Sequence, residues 1–235
     1  MIAVWAAVLL AAVWAAHWGA ERLSAPLKKL RKQWGFSVAA GGSFLGLAAA
    51  SPEMGINVTS AARDVSDIGL GAMLGSTVLV IPVIVTTAYL ATRKGALEGA
   101  DKEHKKHRRD RYVAVDKGAL TVQALPYLAI LAVFALLTLP APWRGLQPID
   151  GWLLLIAYLA YLLQALVRGR EKGEEVEWSL KEKWMAIAGV GALAVGAYFT
   201  VFSTERIVSA LGIPNIVGGL FITAAVASLP EVFTT

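Results

Sequence analysis

Long apolar runs alternate with short charged connections along this chain. Residues 2–19, 36–62, 68–91, 118–139, 151–167, 184–203 and 212–235 are predominantly apolar, and the only charged residues inside them are Glu53 and Glu231. A run of about 18 or more such residues is long enough to cross a bilayer as a helix. The pattern predicts seven transmembrane helices and an all-α polytopic membrane protein. The first run has no basic segment before it, and Glu21-Arg22 follow it without a small-residue cleavage pattern. It therefore reads as a membrane helix, not a signal peptide.

Charge adds orientation to this pattern. Of the 22 Lys and Arg residues, 19 lie in the connections 20–35, 92–117 and 168–183, and only Arg63, Arg144 and Arg206 lie in the others. Basic residues are retained on the cytoplasmic side, so these three connections are expected in the cytoplasm, with the N-terminus outside. A short cytoplasmic loop between the halves and the absence of cysteine suit the plasma membrane of a prokaryote. The densest basic stretch is Lys102-Glu-His-Lys-Lys-His-Arg-Arg-Asp-Arg111. It reads as a solvated cytoplasmic loop, with anionic lipid as a possible partner. The net charge of +5 carries no expectation of nucleic-acid binding, because it is concentrated in these connections.

Cysteine is absent, which removes disulfides, thiolate metal sites and cysteine nucleophiles. The spans hold no Lys or Asp, and their single histidine is His17 near an edge. A membrane enzyme lacks its usual residue sets here, and no cofactor is expected. The runs 118–139 and 151–167 hold no charge and read as scaffold, with Gln123 and Gln164 as packing polars.

Two local patterns recur. Ala20-Glu-Arg-Leu23 ends the first run and Thr204-Glu-Arg-Ile207 ends the sixth. Each is followed by a run holding a Pro-Glu pair, Pro52-Glu53 and Pro230-Glu231, and Gly41 and Gly219 each belong to a Gly-Gly pair 12 residues before their glutamate. A repeat unit of five helices would make the second copy enter the membrane from the opposite side. Inverted repeats with broken helices at mid-membrane are a secondary-transporter signature. The expected organisation is a first repeat over 1–167, a cytoplasmic connector over 168–183, and the start of a second, truncated repeat over 184–235.

A carboxylate at mid-membrane costs about 2.5–3.5 kcal/mol on insertion scales, so it marks a functional site. Two facing acids, Glu53 and Glu231, must share a proton or a cation. Oxygen-rich sites of this kind suit hard cations, Ca²⁺ above all. The helix break at Pro52 is expected to free carbonyls near Ala48–Ala50. Ser51, Asn57, Thr59 and Ser60 add side-chain oxygens to that run, Ser228 adds one near Glu231, and Ser76 and Thr77 add hydroxyls in the next. The candidate cation ligands are Glu53, Glu231, Ser51, Ser228, Ser76 and Thr77. Gly71 and Gly75 would let a backbone approach closely. Asp67 is expected as an N-cap and Pro82 as a kink.

Ala50-Ser-Pro-Glu53 and Ala227-Ser-Leu-Pro-Glu231 resemble the alpha-repeat motif of the sodium/calcium exchanger (cation/calcium antiporter) superfamily, usually G-T-S-L-P-E. Gly71-Ala-Met-Leu-Gly-Ser-Thr77 resembles the motif's second half, G-N-x-x-G-S-N, and places the whole first motif within 36–91. The resemblance implies ten helices in two inverted halves, about seven of which fall in this chain. It implies alternating access that exchanges Na⁺ for Ca²⁺ at the two motif glutamates, with helices one and six moving against the others. Glu53 and Glu231 match the acids, Ser228 the motif serine, and Ser76 the serine of G-S-N. Ala48, Ala49 and Ala50 precede Ser51 where the motif has Gly, Thr and Ser, Ala72 replaces an asparagine, and Thr77 replaces another. These departures leave proton- or other monovalent-coupled exchange as an alternative on the same scaffold. A non-transporting membrane subunit is a third reading, and it expects Ala to be tolerated at both Glu53 and Glu231.

Overall fold

In the computed structural model the described residues are 1–36, 46–94, 109, 125–139, 147–167 and 172–229. The apolar runs within them are helical. In order they form α1 (Ile2–Gln33), α2 (Ser51–Ala62), α3 (Ser66–Gly75), a π-helical turn π1 (Ser76–Val80), α4 (Ile81–Lys94), α5 (Leu125–Leu137), α6 (Pro148–Val167), α7 (Leu180–Leu211), α8 (Asn215–Gly218), a second π-helical turn π2 (Gly219–Thr223) and α9 (Ala224–Ala227). Residues Met1–Ala88 with Ala165–Thr235 make one compact unit, and Tyr89–Gln164 another. Among the described residues three helical stretches are long and apolar enough to cross a membrane: Ile2–Gln33, Ser66–Ala91 and Leu180–Leu211. The protein is an integral membrane protein on these grounds.

Helices α1 and α7 have 32 residues each. At 1.5 Å per residue that is about 48 Å, well beyond the hydrocarbon thickness of about 30 Å. The connection 20–35, expected as a loop, is thus helical as far as Gln33 and contains Pro26 inside the helix. Its Leu, Lys, Arg and Gln residues are good helix formers and carry the helix past Pro26 to Gly35, whose φ is 66°. Arg31 and Lys32 in its last turn suit the negative end of the helix dipole. Helix α7 starts at a capping box. Ser179 Oγ accepts the Glu182 N–H at 3.2 Å, and the Glu182 carboxylate accepts the Ser179 N–H at 3.0 Å. It ends at Gly212, whose φ of 65° is the left-handed conformation that glycine adopts freely.

The two long helices run antiparallel and close together. A Cβ on Gly19 would lie 2.7 Å from the Leu193 nitrogen, and one on Gly196 would lie 2.6 Å from the Ala12 carbonyl. Lipid tails are as apolar as leucine, so helices associate in the membrane through such close backbone packing. Leu9, Val13 and Ile207 form a buried cluster on this interface, with Trp5, Ile222 and Val226 against it.

A second cluster joins four elements: Ile56 from α2, Ile68 and Ala72 from α3, Ala197 and Val201 from α7, and Ala227 from α9. Helix α3 packs on π2 and α9 as well as on α2. The expected kink at Pro82 is a π-helical turn at Ser76–Val80, directly before it. Proline lacks the N–H that would continue the regular ladder, and the extra residue per turn is how the backbone adjusts. In the other unit, α5 and α6 are apolar helices, and Asp150 Oδ2 accepts the Gln147 N–H at 2.7 Å where α6 begins.

Candidate cation site

The site begins with a helix interruption. The chain is helical at 46–49, turns at Ala50, and resumes as α2 with Ser51 and Pro52 in its first turn. Pro52 has no N–H to donate to the carbonyl four residues earlier, that of Ala48. The Ser51 hydroxyl donates to that carbonyl instead, at 2.7 Å. The hydroxyl hydrogen is committed to the backbone, while the oxygen keeps its lone pairs. The carbonyls expected to be freed are therefore partly engaged: Ala48 O accepts from Ser51, and Ala50 O accepts the Met54 N–H at 3.0 Å. An oxygen already accepting one hydrogen still has a second lone pair.

Glu53 stands in the first turn of α2, where the dipole favours a negative charge. Its Oε2 is buried, and Pro52 beside it is fully buried. Asn57, one turn on, donates its amide to the Glu53 carbonyl at 2.9 Å, so its side-chain oxygen faces away from that bond. Ser60 donates to Asn57 O at 2.9 Å. Asn57 and Ser60 lie against α3, because a Cβ on Gly69 would collide with Ser60 Oγ and sit 2.9 Å from Asn57 Oδ1. The glycine there admits polar side chains of α2 into the helix contact.

Ser76 and Thr77 lie in π1, and both hydroxyls donate to the Met73 carbonyl, at 2.9 and 3.1 Å. π1 packs against α9, which Ser228 terminates, 3% exposed. Ile56, one turn after Glu53, and Ala227, the residue before Ser228, share one buried cluster. The segments holding Ser51, Glu53 and Ser228 thus meet around common apolar packing, and π1, with Ser76 and Thr77, adjoins them through α9. Ala72, where the motif has an asparagine, is 7% exposed inside that cluster. Its methyl fills packing space in that cluster at the position where the motif carries an amide.

Glu231 lies outside the described residues, as do Gly41, Gln123 and, apart from Arg109, the basic stretch 102–111. Among the described residues no group of three or more His, Asp or Glu side chains converges to hold a metal. Asp67 is not the N-cap of α3. Val65 holds that position, and Asp67 lies in the first turn without a capping bond, where the dipole alone favours it.

Sequence reasoning missed one pairing. Arg63, at the end of α2, places Nη2 2.7 Å from Glu205 Oε2 of α7, and its Nη1 donates to the Tyr198 hydroxyl at 3.0 Å. The hydrogen bond to Glu205 is the main cause that raises the Arg63 pKa above its ordinary value, and burial opposes it. The available signal was the repeated Glu-Arg motif, which read as a marker of symmetry and not as half of a contact.

No curated protein and no solved structure matches the chain. The family model for the sodium/calcium exchanger protein matches residues 4–167 and 181–235, nearly the whole length. With an acid at a broken apolar helix and the motif segments packed together, this match is decisive: the chain belongs to the sodium/calcium exchanger family of membrane antiporters.

Proposed function

We propose that this protein is a secondary antiporter that exchanges Na⁺ for Ca²⁺ by alternating access, with Glu53 as a central ligand. The observation that carries the reading is Glu53 itself. It is an acid with a buried oxygen in the first turn of a helix interrupted at Pro52, inside an otherwise uncharged run. Such an acid needs a cationic partner or a proton to offset its desolvation. Carboxylate, carbonyl and hydroxyl oxygens are the donor set of a hard cation. Ca²⁺ and Na⁺ are substrates here, with Glu53, Glu231, Ser51, Ser228, Ser76 and Thr77 as their proposed ligands. The chain's role is transport and not catalysis.

The same reading supplies an orientation and an architecture. The basic end of α1 and the connector before α7 lie in the cytoplasm, and the N-terminus lies outside. The antiparallel pairing of α1 and α7 supports inverted repeats, since these helices carry the Glu-Arg repeat and run in opposite directions.

One observation favours a second reading. Ala72 fills an apolar cluster where the motif has a ligand amide, and fewer oxygens bind a divalent ion less well. Coupling to protons or another monovalent cation follows on that reading. Radiolabelled Ca²⁺ uptake into vesicles tests both. A Na⁺ gradient is expected to drive uptake, and Glu53→Gln to abolish it. Uptake driven only by a pH gradient selects the second reading. Uptake indifferent to both gradients and to Glu53→Gln rules out antiport at this site.

A further inference from the structure

Helix α7 is held differently at its two ends. At its N-terminal end the polar ties run to α1 and to the connector before α7. Lys29 pairs with Glu182, and its ammonium donates to the Glu177 carbonyl at 3.1 Å. Trp178 Nε1 donates to Gln33 Oε1 at 3.1 Å, and the Glu174 N–H donates to the Lys32 carbonyl at 3.0 Å. These bonds, with the glycine contacts along the interface, make α1 and α7 a single body.

Farther along, α7 also reaches other elements: Ala197 and Val201 share the apolar cluster with Ile56 of α2, and two consecutive residues near its C-terminal end add polar ties. Glu205 pairs with Arg63 of α2 at 2.7 Å. Thr204 Oγ1 lies 2.8 Å from Thr223 Oγ1 of π2, and both threonines are fully buried. The Arg63 guanidinium also lies over the rings of Tyr198 and Phe202, 5.1 Å from each centroid. The Arg63–Glu205 pair is only partly buried, at 23% and 35% side-chain exposure. Ion pairs with that much solvent form and break readily. Arg63 ends the same short helix that Glu53 begins, so a force on one is felt by the other through about three rigid turns.

We propose that Arg63–Glu205, backed by Thr204–Thr223, is a reversible latch. It holds the α1–α7 body against the helix that carries Glu53 in one access state, and it opens in the other. This inference rests on the exchanger reading: the latch has work to do only if α7 moves against α2. Each access state needs its own stabilising contacts, and a pair made in one state alone sets the balance between them.

The test uses the fact that the chain has no cysteine. Arg63→Cys with Glu205→Cys is made in the native protein, reconstituted in vesicles, and bridged with a short, reducible bifunctional thiol reagent. Cross-linked protein is expected to stop exchanging, and reductant to restore the rate of the unlinked double variant. Exchange at that same rate while cross-linked overturns the latch and leaves the exchanger reading standing. Absence of gradient-driven uptake in the wild type overturns the exchanger reading, and the latch falls with it. A charge swap provides a second arm should the cysteine variant fold poorly. Glu205→Gln is expected to change the maximal rate about threefold or more, with thermal stability little changed, and Arg63→Glu with Glu205→Arg to bring the rate back. A swap no better than the single variant counts against a latch and for a purely local packing role.

Discussion

Gly71 and Gly219 meet backbone to backbone where α3 crosses π2. A Cβ on Gly71 would lie 2.9 Å from the Leu220 nitrogen and 3.1 Å from Gly219 Cα, and one on Gly219 would lie 2.9 Å from the Ala72 nitrogen and 3.0 Å from Gly71 Cα. Each would also strike a carbonyl, that of Ile216 or Ile68. The obstacles are backbone atoms, which cannot swing aside as a side chain can. Gly71 is therefore what lets the segment that leads to Ser228 approach α3.

Replacing either glycine by valine is expected to destabilise the protein by about 1–3 kcal/mol or more, the range for overpacking a fitted contact. Gly191→Ala is the control. Nothing lies within 4 Å of its added methyl, and it stands inside α7. That change is expected to stabilise by about 0.5–1 kcal/mol, the usual gain from removing a glycine inside a helix. Thermal unfolding of the purified protein measures both. Equal shifts at Gly71, Gly219 and Gly191 would show that the crossing is looser than described.

The hydropathy pattern made the main apolar helices legible, because burial in lipid and in protein both demand apolar side chains. It misplaced their ends. Hydropathy marks where the membrane stops, but the helix of residues 2–19 continues to Gln33, since helix propensity does not stop at the interface. The acid at Glu53 was legible for a similar reason: a charge among apolar residues is conspicuous. The Arg63–Glu205 contact was not. Its partners are 142 residues apart, and periodicity says which face of a helix is apolar, not which helix will meet it. Thr204 and Thr223 were hidden in the same way, as two hydroxyls that look ordinary until the fold joins them. The departures from the motif became interpretable only when Ala72 was seen inside an apolar cluster.

Ser51 tests the helix break. It supplies the donor that Pro52 withholds from Ala48 O. Ser51→Ala is expected to cost about 1–2 kcal/mol, since a carbonyl that loses its side-chain donor keeps its desolvation penalty. Ser51→Ala with Pro52→Ala restores a backbone N–H to that carbonyl and is expected to recover most of the loss in thermal stability. It should not recover cation uptake, because the first turn of α2 and Glu53 would take the path of a continuous helix. Recovery of both would mean that the break has no part in the site.

Glu53→Gln separates stability from binding. Glutamine keeps the shape of the side chain and removes its charge, so without divalent cation the variant is expected to melt close to the wild-type temperature. Wild type should gain thermal stability as Ca²⁺ is added, by about 2.7 kcal/mol at a hundredfold excess over Kd. The variant should gain little. A Ca²⁺-dependent shift of the same size in both would place the bound ion elsewhere.

The clasp between α1 and α7 carries a pH dependence of definite sign. The hydrogen bond from Lys29, with that from the Ser179 N–H, lowers the Glu182 carboxyl from 4.5 to about 2. A depressed carboxylate contributes stability that is fully present above its unfolded value and is lost as pH falls through its folded one. The clasp should therefore stay closed at neutral pH and down to about 4.5, then loosen progressively toward pH 2. In Lys29→Gln the Glu182 pKa is expected to rise toward its ordinary value, and the loosening should begin at higher pH. Hydrogen exchange of the amides in 174–183, corrected for the intrinsic pH dependence of exchange, reads this directly. Protection identical in wild type and Lys29→Gln at every pH would mean that Ser179 and the capping box hold the start of α7 without help from α1.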